Sequence, residues 1–259
     1  MASYLITGAN RGLGLLMVSF LASKPASEVR LIIAAARKSS TELDKLVADS
    51  NLASKPTVIA LNLSVAQDTS VGAFADEVAK VLGSSGLDVL INNAGVLYYS
   101  SDPKAPMETM DNLFQHWEVN VNGVHLVSKA LLPLLRQGWK KTIVNVSSAM
   151  SSITRAREFM FQPCPAYKIT KAAMNMMTVQ YASYLEPEGF VVFNIDPGWA
   201  RTEMGSQHAD LDPKESAECL ITKVLSATSQ DNGKFFDANV PSWEYKGGPN
   251  RYNGQIIPW

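Results

Sequence analysis

The sequence predicts an α/β fold: a mainly parallel sheet of seven strands, doubly wound, with helices on both faces. Three observations predict it. Short, continuously apolar runs alternate with longer segments of helical spacing along the whole chain. The first such run leads straight into a glycine-rich turn and then into a helical pattern. Polar or glycine-bearing residues recur just after the apolar runs, at the strand ends where an open parallel sheet binds its ligands.

Tyr4-Leu5-Ile6 reads as the first strand and enters Thr7-Gly8-Ala9-Asn10-Arg11-Gly12-Leu13-Gly14, after which Leu15, Leu16, Val18 and Leu21 recur at roughly helical spacing. That order suits a phosphate, because glycine lets the backbone approach a pyrophosphate and the helix N-terminus favours the anion. Residues 30–36 read as the second strand and 41–51 as a helix that Thr41 caps. A third strand over 57–61, a helix over 67–82 and a fourth strand over 89–91 follow, the last ending in Asn92-Asn93-Ala94-Gly95. Then come a long helix over 110–135, a strand over 142–146 and a helix over 166–185. A strand over 191–195, a helix over 213–226 and a short strand over 234–237 complete the pattern. No repeat, low-complexity tract or linker interrupts it, so residues 1–259 are expected to form one domain.

Composition bounds the partners. With 46% hydrophobic and 18% charged residues, the chain suits a well-buried core and not a disordered one. Net charge is −1 with a pI near 6.3, and no basic run stands out, which argues against nucleic acid. Cys164 and Cys219 match no metal-ligand spacing and are too few for a disulfide scaffold, so a reducing, cytoplasmic setting and no metal are expected. With a strand-like run at the start no signal peptide is expected, and no apolar stretch is long enough to span a membrane.

The chemistry centres on Tyr167-Lys168-Ile169-Thr170-Lys171. Residues four apart share a helix face, so the Tyr167 phenol and the Lys171 ammonium can reach one space. A cation about 5 Å away at an effective dielectric near 20 favours the phenolate by about 3 kcal/mol, lowering the tyrosine pKa by about 2. Such a tyrosine exchanges a proton with a substrate oxygen near neutral pH. The strand ends place the glycine loop, Arg37, Asn62, Asn92-Asn93, Ser147-Ser148 and Asp196-Pro197-Gly198 on one rim beside it.

Together these motifs resemble the classical short-chain dehydrogenase/reductase family over essentially the whole chain. The resemblance rests on Thr7-Gly8-x-x-x-Gly12-x-Gly14, Asn92-Asn93-Ala94-Gly95, Asn120, Ser147-Ser148, Tyr167-x-x-x-Lys171 and Pro197-Gly198-x-x-x-Thr202, in that order. Arg11 stands where the family's extended branch would carry glycine. The resemblance implies a Rossmann domain and a catalytic set of Ser148, Tyr167, Lys171 and Asn120. Tyr167 would be general acid and base, Ser148 would orient the substrate oxygen, and Lys171 would hold the nicotinamide ribose. Asn120 would hold a water that links Lys171 to solvent. Gly8, Asn10, Arg11, Gly12, Leu13 and Gly14 would cradle the cofactor phosphates, and Asn62, Leu63 and Asn93 would line the adenosine. Pro197, Ala200 and Thr202 would meet the nicotinamide. Two departures stand out: a longer interval between Ser148 and Tyr167 than the family's usual one, and Asn62 where the family often has Asp.

An acidic residue after the second strand would select NAD, whereas here Ala36 is followed by Arg37, with Arg11 in the glycine loop. Two guanidinium groups suit a 2′-phosphate, so NADP(H) is the expected cofactor. Leu97, Tyr98, Tyr99, Met150, Phe159, Phe161, Trp199 and Met204 form the expected substrate wall, favouring a bulky apolar or aromatic ketone or its alcohol. The long 151–165 loop and the Gly254–Trp259 ending are similar to C-factor/sniffer-type carbonyl reductases and to fungal ketoreductases of the norsolorinic acid type, which implies ketone reduction, in secondary metabolism for the latter. A catalytically idle NADPH-binding regulator of the same fold is the alternative. A serine hydrolase fits worse, for no Gly-x-Ser-x-Gly elbow is present and His116, His125 and His208 read as structural or surface residues. The helix through Asn120 and the segment with Met174, Met176 and Met177 offer a face for a homodimer or homotetramer, and a monomer stays open.

Overall fold

The apolar runs become the strands β1 (Ala2–Thr7), β2 (Val29–Ala36), β3 (Thr57–Asn62), β4 (Val89–Asn92), β5 (Thr142–Val146), β6 (Val191–Ile195) and β7 (Phe235–Phe236). They form one sheet in the order β3-β2-β1-β4-β5-β6-β7. Every pairing is parallel, so the expected mainly parallel sheet is wholly so. The computed structural model describes residues 1–50 and 54–259.

Helices α1 (Gly12–Ala22), α2 (Thr41–Asp49) and α7 (Pro213–Leu225) lie on one face. Helices α3 (Asp68–Leu82), α5 (Val124–Gln137) and α6 (Pro165–Leu185) lie on the other, with a short α4 (Leu113–Trp117) before α5. Side chains alternate across β1 accordingly: Tyr4 and Ile6 pack with Val18, Leu21 and Leu220, while Leu5 packs with Phe74, Val127 and Leu131. Burial on both faces is why the strands read as unbroken apolar runs.

Two expectations change. The cap of α2 is Ser40, whose hydroxyl accepts from Leu43 N–H at 3.2 Å, and Thr41 is already helical. Its expected end at Asn51 lies outside the described residues. The single long helix over 110–135 is broken: α4 gives way to a π-helical turn over Glu118–Gly123 before α5 begins. Such a turn is commonly found at functional sites. This one carries Asn120.

The chain leaves β1 toward β2 and β3 on one side and toward β4 on the other, so the strand order reverses between β1 and β4. A crevice opens there at the carboxyl ends of the strands. The C-terminal residues fold back over the far end, where Ile257 N–H donates to Phe235 O at 2.7 Å and Trp259 stacks on Phe235 at 5.6 Å between ring centroids.

Candidate active site

The glycine loop turns from β1 into α1 through two left-handed residues, Gly8 at φ +67° and Gly12 at φ +53°. A Cβ on Gly14 would lie 2.2 Å from Gly8 O, so only glycine lets the helix pack on the loop. Space remains outside it. A Cβ on Gly12 would meet just Thr202 Cγ2, at 3.9 Å. The loop is fixed from behind by Asn93, whose Nδ2 donates to Thr7 O (2.9 Å) and Gly8 O (3.3 Å), while Thr7 Oγ1 accepts from Asn93 and Ala94 N–H at 3.0 Å each. Asn93 therefore acts on the loop itself.

Arg11, at the N-cap of α1, makes no capping bond and reaches across the cleft mouth to pair with Glu203. Arg37 is exposed just beyond β2, and its carbonyl accepts from Asn62 Nδ2 at 3.0 Å. No acidic side chain lies in the first turn of α1. An open glycine cradle leading into a helix N-terminus, with the Arg11 guanidinium beside it, fits a nucleotide phosphate. Thr202 faces the loop and is held in turn by Gly205 N–H, which donates to its Oγ1 at 3.1 Å. Ala200 bridges to Leu211, and Pro197 O accepts from Ser216 Oγ at 2.6 Å, anchoring this segment to α7. Leu63 is buried, with its N–H on Ala36 O at 2.9 Å.

The reaction corner forms where α6 crosses the end of β5. Pro165 starts α6, so Tyr167 sits in its first turn, and Lys171 lies one turn on. The Ser148 hydroxyl and the Tyr167 phenol line the same cavity. Lys171 Nζ donates to Val146 O at 2.7 Å and stands 5.9 Å from the Tyr167 ring centre. The expected depression of the tyrosine by the lysine is reversed in the free chain. Burial pushes the Tyr167 phenol well up, Asp196 and Cys164 add to this, and only the Ser148 hydroxyl opposes it. Burial also pulls the Lys171 ammonium down to about 8, against the pull of Asp196. Desolvation outweighs the pairwise attraction.

Asn120 is wholly buried. Its Oδ1 accepts from Val96 N–H at 2.9 Å and its Nδ2 donates to Val96 O at 3.0 Å and Thr170 Oγ1 at 3.3 Å. Both ends of the amide are thus engaged, with Val96 just after Gly95 and with Thr170 on α6. A Cβ on Gly95 would meet Asn120 Oδ1 at 3.3 Å and Lys171 Nζ at 3.7 Å, so a bare backbone there lets the two side chains converge.

A cavity of about 140 Å³ opens beside Ser148 and Tyr167. Seven of the eight expected wall residues line it; Tyr98 does not. Its N–H donates to His116 Nε2 at 3.0 Å instead. With His116 Nδ1 2.8 Å from Asn112 O, that bond fixes the neutral tautomer with the proton on Nδ1. Burial lowers the imidazole pKa and favours this form. His116 is structural, as expected, yet its ring meets Tyr167 edge-on at 6.3 Å between centroids.

Sequence reasoning missed a polar network beneath the site. Asn92, Asn145 and Asn194 stand in register across β4, β5 and β6. Asn92 Nδ2 donates to Asn145 Oδ1 (2.8 Å), Asn145 Nδ2 to Thr178 Oγ1 (2.8 Å), Thr178 Oγ1 to Asn194 Oδ1 (2.6 Å), and Asn194 Nδ2 to Asn175 Oδ1 (2.7 Å). Ser147 Oγ also donates to Asn175 Oδ1, at 2.7 Å. Both Ser147 and Ser148 border the cavity, but the Ser147 hydroxyl is spent on this scaffold, bonded to Asn175 and Ser151. Strand alternation was the available signal, since Asn145 and Ser147 share one face. The Met174–Met177 segment divides too, with Met174 buried and Met176 62% exposed.

The fold and the glycine cradle fit the class of nicotinamide-dependent oxidoreductases. The short chain dehydrogenase family model matches residues 3–212, and the chain belongs to that family. It is 33% identical over 244 residues to the short-chain dehydrogenase anuI of Penicillium roqueforti, covering 90% of this chain and 92% of that one. NADPH-bound carbonyl reductase from chicken fatty liver superposes with a TM-score of 0.85 at 26% identity, over 100% of this chain and 94% of that one. Carbonyl reductase Sniffer of D. melanogaster gives 0.81 at 25% identity, over 100% of both chains. Among the described residues, no helix is long and apolar enough to cross a membrane, and no group of three or more acidic, Cys or His residues could hold a metal.

Proposed function

We propose that this chain is an NADPH-dependent reductase of bulky apolar or aromatic ketones. One observation carries the reading: Ser148 and Tyr167 both line one largely apolar cavity at the strand ends that also bear the glycine cradle. The reduced nicotinamide, when bound, supplies the hydride. Ser148 donates a hydrogen bond to the ketone oxygen and orients the carbonyl. Tyr167 passes its phenolic proton to that oxygen as it gains charge, and takes it back in the reverse direction. Lys171, with its pKa brought down to about 8, stands next to the phenol as a proton source near neutral pH.

Gly8, Asn10, Gly12, Leu13 and Gly14 would hold the pyrophosphate, and Asn62 and Leu63 the adenine side. Pro197, Ala200 and Thr202 would hold the carboxamide side, with Tyr167 and Lys171 at the ribose. Arg37 and Arg11 would take the 2′-phosphate, Arg11 exchanging Glu203 for it. Leu97, Tyr99, Phe159, Phe161, Trp199 and Met204 would enclose an apolar ketone. Likeness to the fungal relative and to the carbonyl reductases supports the same reading, and a role in secondary metabolism follows it.

Screening NADPH oxidation against aromatic and polyketide-like ketones tests the reading. At least one bulky ketone should be reduced, with NADPH preferred to NADH by about tenfold or more in kcat/KM, equivalent to about 1.4 kcal/mol. Arg37→Ala should narrow that gap. Equal use of both cofactors would refute the assignment of the phosphate site, and no turnover with any ketone would refute the reaction.

A further inference from the structure

Strand pairing brings two carboxyl groups together behind the reaction corner. β6 and β7 pair with Asn194 opposite Phe235 and Ile195 opposite Phe236. The ladder continues one bond further, from Asp196 N–H to Phe236 O at 2.8 Å, which sets Asp196 opposite Asp237. Neighbouring strands lie about 4.8 Å apart, and opposite residues project from the same face. Both side chains are buried, each 7% exposed. Asp196 lines the same cavity as Ser148 and Tyr167. The backbone N–H groups of Ala149 and Gly198 favour the ionised form of Asp196, and Asp237 Oδ2 accepts from Asn253 N–H at 3.4 Å.

The other titratable groups around the pair come from three places. Tyr167 and Lys171 face it from α6, Tyr252 from the C-terminal segment, and Arg155 from the loop after β5. Arg155 is already engaged by Glu158 at 2.8 Å and by Pro249 O. Tyr252 donates to Asp210 at 2.8 Å. No cation therefore sits directly on the two carboxyls among the described residues, and two like charges this close in a buried site resist ionising together.

We propose that Asp196 and Asp237 share one proton, and that this pair sets how readily Tyr167 releases its own proton to the ketone. Asp196 is a positioning residue here and Asp237 stands behind it. Burial is the main force pushing both carboxyls up, and for Asp196 the charge on Asp237 is next. Loss of the shared proton adds a second negative charge beside Tyr167. That charge holds the phenol up and makes it a poorer acid. Ketone reduction should therefore slow as pH rises through the second ionisation of the pair. The proton balance is simple: the Tyr167 proton goes to the carbonyl oxygen, and the pair's proton goes to solvent.

The inference rests on the reductase reading, so its test has two arms. Carbon-13 NMR of the aspartate side-chain carboxyls follows the titration in the whole protein, independently of turnover. Wild type should show one carboxyl titrating well above the ordinary aspartate range. Asp237→Asn should bring the titration of Asp196 to lower pH, because burial stays and the neighbouring charge goes. Two ordinary titrations, or an unmoved Asp196 in Asp237→Asn, would overturn proton sharing. In the second arm, kcat/KM for ketone reduction should fall on the alkaline side in wild type, fall at lower pH in Asp237→Asn, and lose that fall in Asp196→Asn. A wild-type profile in both variants would overturn the action on Tyr167. Should Asp196→Asn fail to fold, the Asp237→Asn shift decides. If wild type reduces no ketone, the reductase reading and the action on Tyr167 both fail, while the NMR arm still decides proton sharing.

Discussion

One face of the sheet carries two polar regions that the fold treats in opposite ways. Asn92, Asn145 and Asn194, with Thr178, Asn175, Ser147 and Ser151, are neutral and bonded almost throughout to one another. A residue or two further toward the strand ends, Tyr167, Lys171, Asp196 and Asp237 are ionisable and have pKa values displaced chiefly by burial. The first region satisfies its buried polar groups and so costs little. The second keeps titratable groups desolvated, which is unfavourable for stability and useful for proton transfer. Ser147 and Ser148, adjacent in sequence, fall on either side of this divide.

Variants can break or sharpen the contrast. Lys171→Met should have the largest effect, lowering turnover by more than about 100-fold. It should also raise Tm at pH 7, because the buried ammonium is a cost. Its folded pKa, about 8, lies below the ordinary lysine value, so the cost is full below about 8. It fades as pH rises toward the unfolded value, and the Tm gain should shrink over that window in thermal melts. Ser148→Ala should lower kcat by about 10²-fold, through loss of a hydrogen bond to the developing oxyanion, with little change in Tm. Asn175→Ala should do the reverse. It orphans Asn194 Nδ2 and takes one bond each from Ser147 Oγ and Ser151 Oγ, which keep each other, and should lose about 2 kcal/mol in urea unfolding, at about 1–3 kcal/mol per unsatisfied group. Ser147→Ala should be the smallest, about 1 kcal/mol of stability with kcat nearly unchanged.

The sequence made the strands legible because burial on both faces leaves unbroken apolar runs, and it made the site legible because each motif follows a strand. Ser40 and Thr41 could each cap α2, since both carry a hydroxyl; the backbone decides between them. The break at Glu118–Gly123 had no proline to announce it. At Gly123 a Cβ would meet Val65 Cγ2 at 2.9 Å, a close approach that no local pattern reveals. Asp196 was visible only as a polar strand end. Its meeting with Asp237 depends on the register of β6 on β7, which sequence separation conceals. The pKa of Tyr167 was misjudged for the same reason: charge spacing along a helix is readable, whereas the depth of burial is set by the fold.

The central claim is that Tyr167 transfers the proton in an NADPH-dependent reduction. Tyr167→Phe keeps the ring and removes the transferable proton, so NADPH binding by fluorescence and NADPH oxidation with a reducible ketone should be measured on the same sample. The account predicts NADPH binding close to wild type, with turnover lowered by about 10²-fold or more. Turnover equal to wild type in the bound variant would contradict it.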